Sequence, residues 1–347
     1  MGTIENKLAA LSNTKAAIKA AIIAKGGTAT DVFSTYANSI TALPSGSGTN
    51  DPDWTNIGYT ESPQVIKDAV AYAKTIKDNW DSSITSTYKK YYEKHSLVLF
   101  PLVDTSNVTN MSSTFYGCVS LMWLPLLDTS NVTIMSHMFD NCEALHSIPL
   151  FNTSKVDDMG AMFYNCISLV SIPSLDMSNV INIGSMFNNC TSLVSVPNLN
   201  IPKVQSLSST FNYCTSLSTI SLTNKASVND ISRSWLMCSN LTTLETLDMS
   251  SVTNMDWAFY SCTSLVYLLI KNLGKSSLTT YDFSRASNWG TGSTDNRQSL
   301  IDSLITYSYD RAANSLATAT ITLSSTTKAL LTTDEIAQIT AKGYTLS

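Results

Sequence analysis

The feature that most constrains this chain is the spacing of its cysteines. All seven lie at a constant interval of 24 residues, at Cys118, Cys142, Cys166, Cys190, Cys214, Cys238 and Cys262. A fixed period of this length indicates a repeat protein, in which successive units stack and share one continuous core. The cysteine count alone therefore decides neither the redox compartment nor metal binding.

Other apolar residues keep the same phase as the cysteines. In the first copy, Val108, Met111, Phe115 and Cys118 are spaced i, i+3, i+7 and i+10. This spacing places four side chains on one face of a short helix, which we therefore predict in every repeat. The Leu-x-x-Leu that begins at Leu121 is too short for another helix, and a Pro often follows it, so it predicts a short strand.

A turn rich in Asp, Thr, Ser and Asn precedes each predicted helix, with its first residue at Asp104, Asp128, Asp176 or Asp248 in four copies. Such short polar side chains bond nearby backbone N–H groups and cap helices. The sequence thus predicts an α/β repeat solenoid over residues 97–272. We expect a stack of short helices and short strands.

The seven cysteines have three interpretations. Structural zinc needs ligands that converge in a tetrahedron, whereas these residues are spread along a column. Disulfides between adjacent copies are within reach, but stacked side chains point the same way and seven is an odd number. We expect a structural ladder of buried free thiols, with no metal and no cofactor.

The repeat has a recognisable consensus. Residues 104–121 and 128–145 both read Asp-Thr-Ser-Asn-Val-Thr-x-Met, followed by Phe-x-x-Cys-x-x-Leu. This consensus resembles leucine-rich repeats of the bacterial BspA type, in the variety common in Bacteroidales and Mycoplasma sequences and their phages. The resemblance covers about residues 97–272 and implies a leucine-rich-repeat-like, right-handed stack of short helices and short strands, together with recognition of a host-cell surface.

Residues 1–44 are predicted to form a helical attachment or oligomerisation segment. Apolar residues recur there at a spacing typical of packed helices, at Ile4, Leu8, Leu11, Ile18 and Ile22. A single helix of this length is marginal in water, so the stripe needs a partner, either other copies of the chain or its own repeats. Residues 13–22 also resemble an N-terminal module of phage tail and fibre proteins, which implies trimerisation or attachment to other virion proteins.

The remaining segments complete the predicted domain organisation. Residues 45–53 have the composition of a flexible linker, and residues 54–96 are expected to form a helical N-terminal cap. The 24-residue period is lost after residue 272, so residues 273–347 are expected to form a C-terminal cap. Residues 336–344 resemble the closing segment of BspA-like proteins.

The exposed strand position offers the best candidate for ligand binding. It lies between two inward-facing residues of each strand and reads Trp123, Ser147, Ser171, Ser195, Thr219, Thr243 and Tyr267. A strip of hydroxyl groups with an aromatic residue at each end suits a glycan or an extended peptide. The alternative is that Ser and Thr are here simply soluble strand residues.

Charge and motifs argue against several other functions. The net charge is −5, and residues 104–271 hold five basic and eleven acidic residues, so we expect neither nucleic acid nor a membrane as a partner. The sequence contains no phosphate-binding glycine loop or nucleophile elbow. The three histidines, His95, His137 and His146, share no position within the repeat. We therefore expect no enzyme.

These observations favour a phage virion structural protein. It would be a fibre or appendage subunit, anchored by residues 1–44 as a homo-oligomer, that displays its repeats to a host-surface glycan or protein. Because the N-terminus does not read as a classical export signal, the expected location is the virion, assembled in the host cytoplasm. Two alternatives stay open: a BspA-like bacterial cell-surface adhesin, and an architectural head-decoration fibre without a ligand.

Overall fold

The computed structural model describes residues 64–347 except residues 224 and 226. The predicted linker and the oligomerisation stripe lie outside the described residues and stay predictions, the latter comprising Ile4, Leu8, Leu11, Ile18 and Ile22. The chain divides into two compact units, residues 1–79 and residues 80–347. In the first unit, helix α1 spans Gln64–Asp78. Among the described residues, no helix combines the length and apolarity that crossing a bilayer requires.

The second unit is built from stacked 24-residue coils, but in their described residues, which lack 224 and 226, the predicted short helices are absent. Where a helix was expected, the N–H of Phe115 bonds to the carbonyl of Met138 in the next coil (3.0 Å). The N–H of Thr114 instead bonds three residues back, to Met111. An α-helix keeps its hydrogen bonds within the element, with every N–H bonded four residues back. The helix prediction was therefore wrong, because a run of tight turns presents its apolar side chains at the same spacing.

Left-handed backbone makes this run of turns possible. The residues five and one before each cysteine have positive φ in all seven copies, for example Ser113 (φ 51°) and Gly117 (φ 68°). In the first six copies, each such residue donates its own N–H to a carbonyl of the following coil. Asn and Gly, which adopt this conformation at low cost, fill the position before the cysteine in Gly117, Asn141, Asn165 and Asn189.

Short parallel strands form the other side of the coils. They are β1 (Leu199–Asn200), β2 (Thr219–Ile220), β3 (Leu222–Thr223), β4 (Thr243–Asp248) and β5 (Tyr267–Lys271). One sheet has the order β1-β3 and the other the order β2-β4-β5. Residues 24 apart pair directly, as Thr219 does with Thr243. The predicted short strands are thus present in the later copies, while the handedness of the stack stays a prediction.

The chain ends in a small mixed region. Its strands are β6 (Thr280–Phe283), β7 (Ala319–Leu323) and β8 (Tyr344–Leu346), which form one parallel sheet in that order. Its helices are α2 (Thr294–Ile301), which continues as a π-helix (Asp302–Thr306), α3 (Ser325–Lys328) and α4 (Thr333–Ala341). A capping box between Thr332 and Glu335 begins α4.

The core of the stack consists of ladders of identical side chains. The rings of Phe163 and Phe187 are stacked with centroids 5.5 Å apart and planes 8° apart, and both are fully buried. Val, Met, Phe, Cys and Leu positions of each coil lie on the corresponding positions of the next. Because one coil cannot bury its apolar side alone, these ladders hold the unit together.

The coil geometry extends beyond the residues with the clear period. Tyr91 stacks on Phe115 (5.8 Å), and its N–H bonds to the next coil, as Phe115 does one coil later. Lys94 takes the place of the cysteine there, so residues 80–96 contribute a coil rather than a helix. At the other end, Phe283 packs on Phe259 (5.6 Å) with Ala286 in the cysteine position. A capping role for α1 stays a prediction.

Candidate functional site

The cysteine thiols donate hydrogen bonds inside the core of the stack. Each Sγ donates a hydrogen bond to the carbonyl of the aromatic residue 27 positions earlier, from Cys118 to Tyr91 (3.1 Å) through Cys262 to Trp235 (3.0 Å). All seven are free and fully buried. Burial raises the pKa of Cys118 and of Cys262 to about 12. Protonated, inaccessible thiols are poor nucleophiles and poor metal ligands, so the ladder is structural.

The polar side chains of the Asp-Thr-Ser-Asn turn also form hydrogen bonds within the protein. Asp104 Oδ1 accepts from both the N–H and the hydroxyl of Ser106 (3.0 and 2.7 Å), which lowers the pKa of Asp104. The hydroxyl of Thr105 donates to the carbonyl of Asp128 in the next coil (2.8 Å). Asn131 Nδ2 reaches back to the carbonyl of Ser106 (2.8 Å). The consensus turn therefore joins neighbouring coils.

The predicted ligand-binding residues occupy one position in successive coils, and parallel pairing aligns those from Ser195 to Tyr267. Direct parallel pairing joins Leu99 to Trp123, Ser195 to Thr219, and Thr243 to Tyr267. Ser147, Ser171, Ser195 and Thr219 are exposed, and Trp123, Thr243 and Tyr267 are half-buried. The column, here called the sheet row, comprises Trp123, Ser147, Ser171, Ser195, Thr219, Thr243 and Tyr267. Its role in binding stays a prediction.

His137 and His146 each bond to a different partner. His137 Nδ1 lies 2.7 Å from Asp140 Oδ2, and this hydrogen bond raises the pKa of His137. His146 Nδ1 lies 3.1 Å from the carbonyl oxygen of Ser168. Within residues 64–347, apart from 224 and 226, no three His, Cys, Asp or Glu side chains converge as a metal site would require.

Sequence reasoning missed a second group of exposed residues, on the run of turns rather than on the strands. Trp257 and Tyr260 stack with ring centroids 5.3 Å apart. The guanidinium of Arg233 lies 6.0 Å from the Trp257 centroid, and that of Arg285 lies 5.4 Å from the Tyr260 centroid. The signal in the sequence was a Trp and an Arg at a repeat position that Ser or Ala fills in most copies.

Two protein-family models match the repeat region. Residues 85–200 and 123–224 match the family described as "Mycoplasma protein of unknown function, DUF285". Residues 195–289 match the "BspA type Leucine rich repeat region (6 copies)". A search of curated proteins found no match.

Solved structures of three proteins are similar to the chain. A leucine-rich repeat protein of T. pallidum is 25% identical, with 50% of this chain and 69% of that chain covered and a TM-score of 0.30. An internalin (inlF) from Listeria monocytogenes is 17% identical, with 66% and 69% covered and a TM-score of 0.27. A leucine-rich repeat protein from Bacteroides ovatus is 18% identical, with 58% and 76% covered and a TM-score of 0.23.

Proposed function

We propose that this BspA-like leucine-rich repeat protein is a non-enzymatic binding protein whose repeats serve adhesion to a surface or to another protein. The observation that carries the proposal is the sheet row. Residues 24 apart pair in register from Ser195 to Tyr267, so each of these coils presents one outward side chain at the same place. The thiols, in contrast, are engaged inside the stack, and the consensus turns are engaged in hydrogen bonds within and between coils.

The geometry of the sheet row favours a ligand that is itself extended. Parallel strands repeat at about 4.8 Å, so hydroxyl groups recur at a short, regular distance along the row. Half-buried Trp123 and Tyr267 stand at its two ends, and both rings carry an apolar body with a polar tip. A glycan chain or an extended peptide can therefore contact several coils at once and stack on a ring at either end.

Within this role, we propose a fibre or appendage subunit of a phage virion, anchored through residues 1–44. The support is the resemblance of residues 13–22 to phage fibre modules, together with the apolar stripe of the same segment. A bacterial surface adhesin would use the same sheet row but a different anchor. An architectural fibre would have the anchor and a sheet row without a ligand.

The test is retention of the purified chain on intact Bacteroidales cells. We expect Trp123→Ala and Tyr267→Ala each to weaken retention, because each removes one aromatic end of the sheet row. Tyr164→Ala, which removes an exposed ring from the turns, is the control and should retain fully. Retention that both row variants leave unchanged would remove the sheet row as the binding surface.

A further inference from the structure

Trp257 occupies a position that is costly for a tryptophan. Its φ is +61°, in the left-handed region, and its side chain is 59% exposed. Ser113, Ala161 and Ser185 hold the equivalent place in other coils, so a small residue satisfies the fold there. A bulky residue with positive φ is an outlier, and strain of this kind is typical of functional positions. Burial does not repay the strain, since more than half of this side chain faces solvent.

The arginines divide into two classes. Arg297 pairs with Glu335 (2.9 Å), and Arg311 is buried with its guanidinium bonded to backbone carbonyls such as that of Gly274 (2.6 Å). The other two of the chain's four arginines, Arg233 and Arg285, are exposed and lie against the rings of Trp257 and Tyr260. Over the described part of the chain, neither makes an ion pair.

We propose that Arg233, Trp257, Tyr260 and Arg285 form a binding site for an acidic saccharide, a sugar ring that carries a carboxylate. The name "turn cluster" is used below for these four residues. An indole and a phenol ring offer apolar surface to the C–H face of a pyranose, and a guanidinium binds a carboxylate through two parallel hydrogen bonds. Trp, Tyr and Arg are also the residues that most often dominate binding energy.

The two guanidinium groups of the turn cluster are its groups that can bind an anion, although Asp230, Asp256 and Asp282 lie near them in the sequence. Among the described residues, the two guanidinium groups of the turn cluster have no carboxylate partner within ion-pair distance, on a chain whose net charge is −5. The nearby Asp230 is already engaged, because its carboxylate accepts from the hydroxyl of Ser206 (3.1 Å) and the N–H of Ser232 (2.9 Å). The site is separate from the sheet row and does not depend on it.

The experiment measures binding of short oligogalacturonate to the full chain by calorimetry at low salt. A neutral galactan oligosaccharide and oligoglutamate of similar length are the comparison ligands. We expect the chain to bind oligogalacturonate and to bind both comparison ligands much more weakly. Trp257→Ser, which restores the residue of equivalent coils, should lower the affinity by roughly tenfold, as should Arg233→Gln. Tyr164→Ser, which removes an exposed ring at the repeat position of Tyr260 in an earlier coil, should leave it unchanged.

Three outcomes would overturn the proposal. The first is the absence of oligogalacturonate binding by the intact chain. The second is equal affinity of the intact chain and Trp257→Ser when circular dichroism shows both folded. The third is oligoglutamate binding as tight as oligogalacturonate binding, since that would mean recognition of negative charge alone. None of these outcomes bears on the sheet row, whose own test uses different residues and a different readout.

Discussion

The thiol of Cys142 donates a hydrogen bond to the carbonyl oxygen of Phe115, 27 residues earlier, at 3.1 Å. That oxygen also accepts the N–H of Cys118 in its own coil. The thiol therefore satisfies the second lone pair of a buried carbonyl while its sulfur fills the space between coils. This double use explains why a weak hydrogen-bond donor of small volume recurs at every period.

The cysteine ladder predicts an unreactive native protein. All seven thiols are buried and their pKa values are raised, so a thiol reagent at pH 8 should label none of them in the folded chain and all seven in urea. Mass spectrometry of the labelled chain counts the modified sites. Rapid labelling of any cysteine under native conditions would contradict the ladder.

The aromatic ladder predicts that alanine substitutions at two neighbouring residues differ greatly in their effect on the free energy of unfolding. Phe163 is fully buried between Phe139 and Phe187, whereas Tyr164 is 37% exposed. Phe163→Ala should lower the free energy of unfolding by about 3–5 kcal/mol, because it leaves a cavity in the stack. Tyr164→Ala should change it by no more than about 1 kcal/mol. Urea unfolding followed by circular dichroism measures both, and similar losses would argue against the stacked core.

The Asp turns predict sensitivity to acid. Hydrogen bonds from Ser106, Ser130 and Ser178 lower the pKa values of Asp104, Asp128 and Asp176 in the folded state. A depressed pKa contributes stability above the pKa of the unfolded chain, and that stability is lost as pH falls through the folded value. Thermal melts should therefore decline as pH falls below about 4.

Asparagine provides the matched control for the acid effect. Asn152 already makes the same turn, since its Oδ1 accepts the N–H and hydroxyl of Ser154 (3.1 and 2.8 Å). Asp104→Asn, Asp128→Asn and Asp176→Asn combined should keep the fold at pH 7 and flatten the decline at low pH. If the triple variant lost thermal stability at low pH as steeply as the unaltered chain, these three carboxylates would not be the cause of the decline.

The predicted segment of residues 1–44 has a clear solution test. If it trimerises the chain, light scattering should give about three times 37.7 kDa, and deletion of residues 1–45 should return a monomer. A monomeric intact chain would contradict the fibre proposal while leaving the sheet row untouched.

The sequence was sufficient to predict the stacking period and the inward positions, because every copy buries the same residue types. Phe139 and Leu145 are fully buried, as their phase predicts. It did not predict the turns, because the spacing of apolar side chains is shared by a helix and by this run of turns. The discriminating signal was Gly117 and Asn141 beside the cysteine, residues that tolerate positive φ.

The end coils and the turn cluster were harder to predict for different reasons. Lys94 and Ala286 replace the cysteine that marks the period, so the end coils escape a search based on it. The turn cluster joins Arg233, Trp257 and Arg285 from three successive coils. Its existence depends on which side of the turns each residue faces, and the spacing of the apolar residues does not give this.

The proposal that a ligand lies along the sheet row is tested most directly by a bulky substitution in the middle of the row. Ser171→Arg places a long side chain within the row, and Ser174→Arg places the same side chain three residues later, at another exposed position outside it. The measurement is the affinity of each variant for the strongest ligand found on a glycan array. The account predicts that Ser171→Arg loses at least about tenfold in affinity while Ser174→Arg binds like the unaltered chain. Equal affinity of the two folded variants would contradict a ligand that lies along the row.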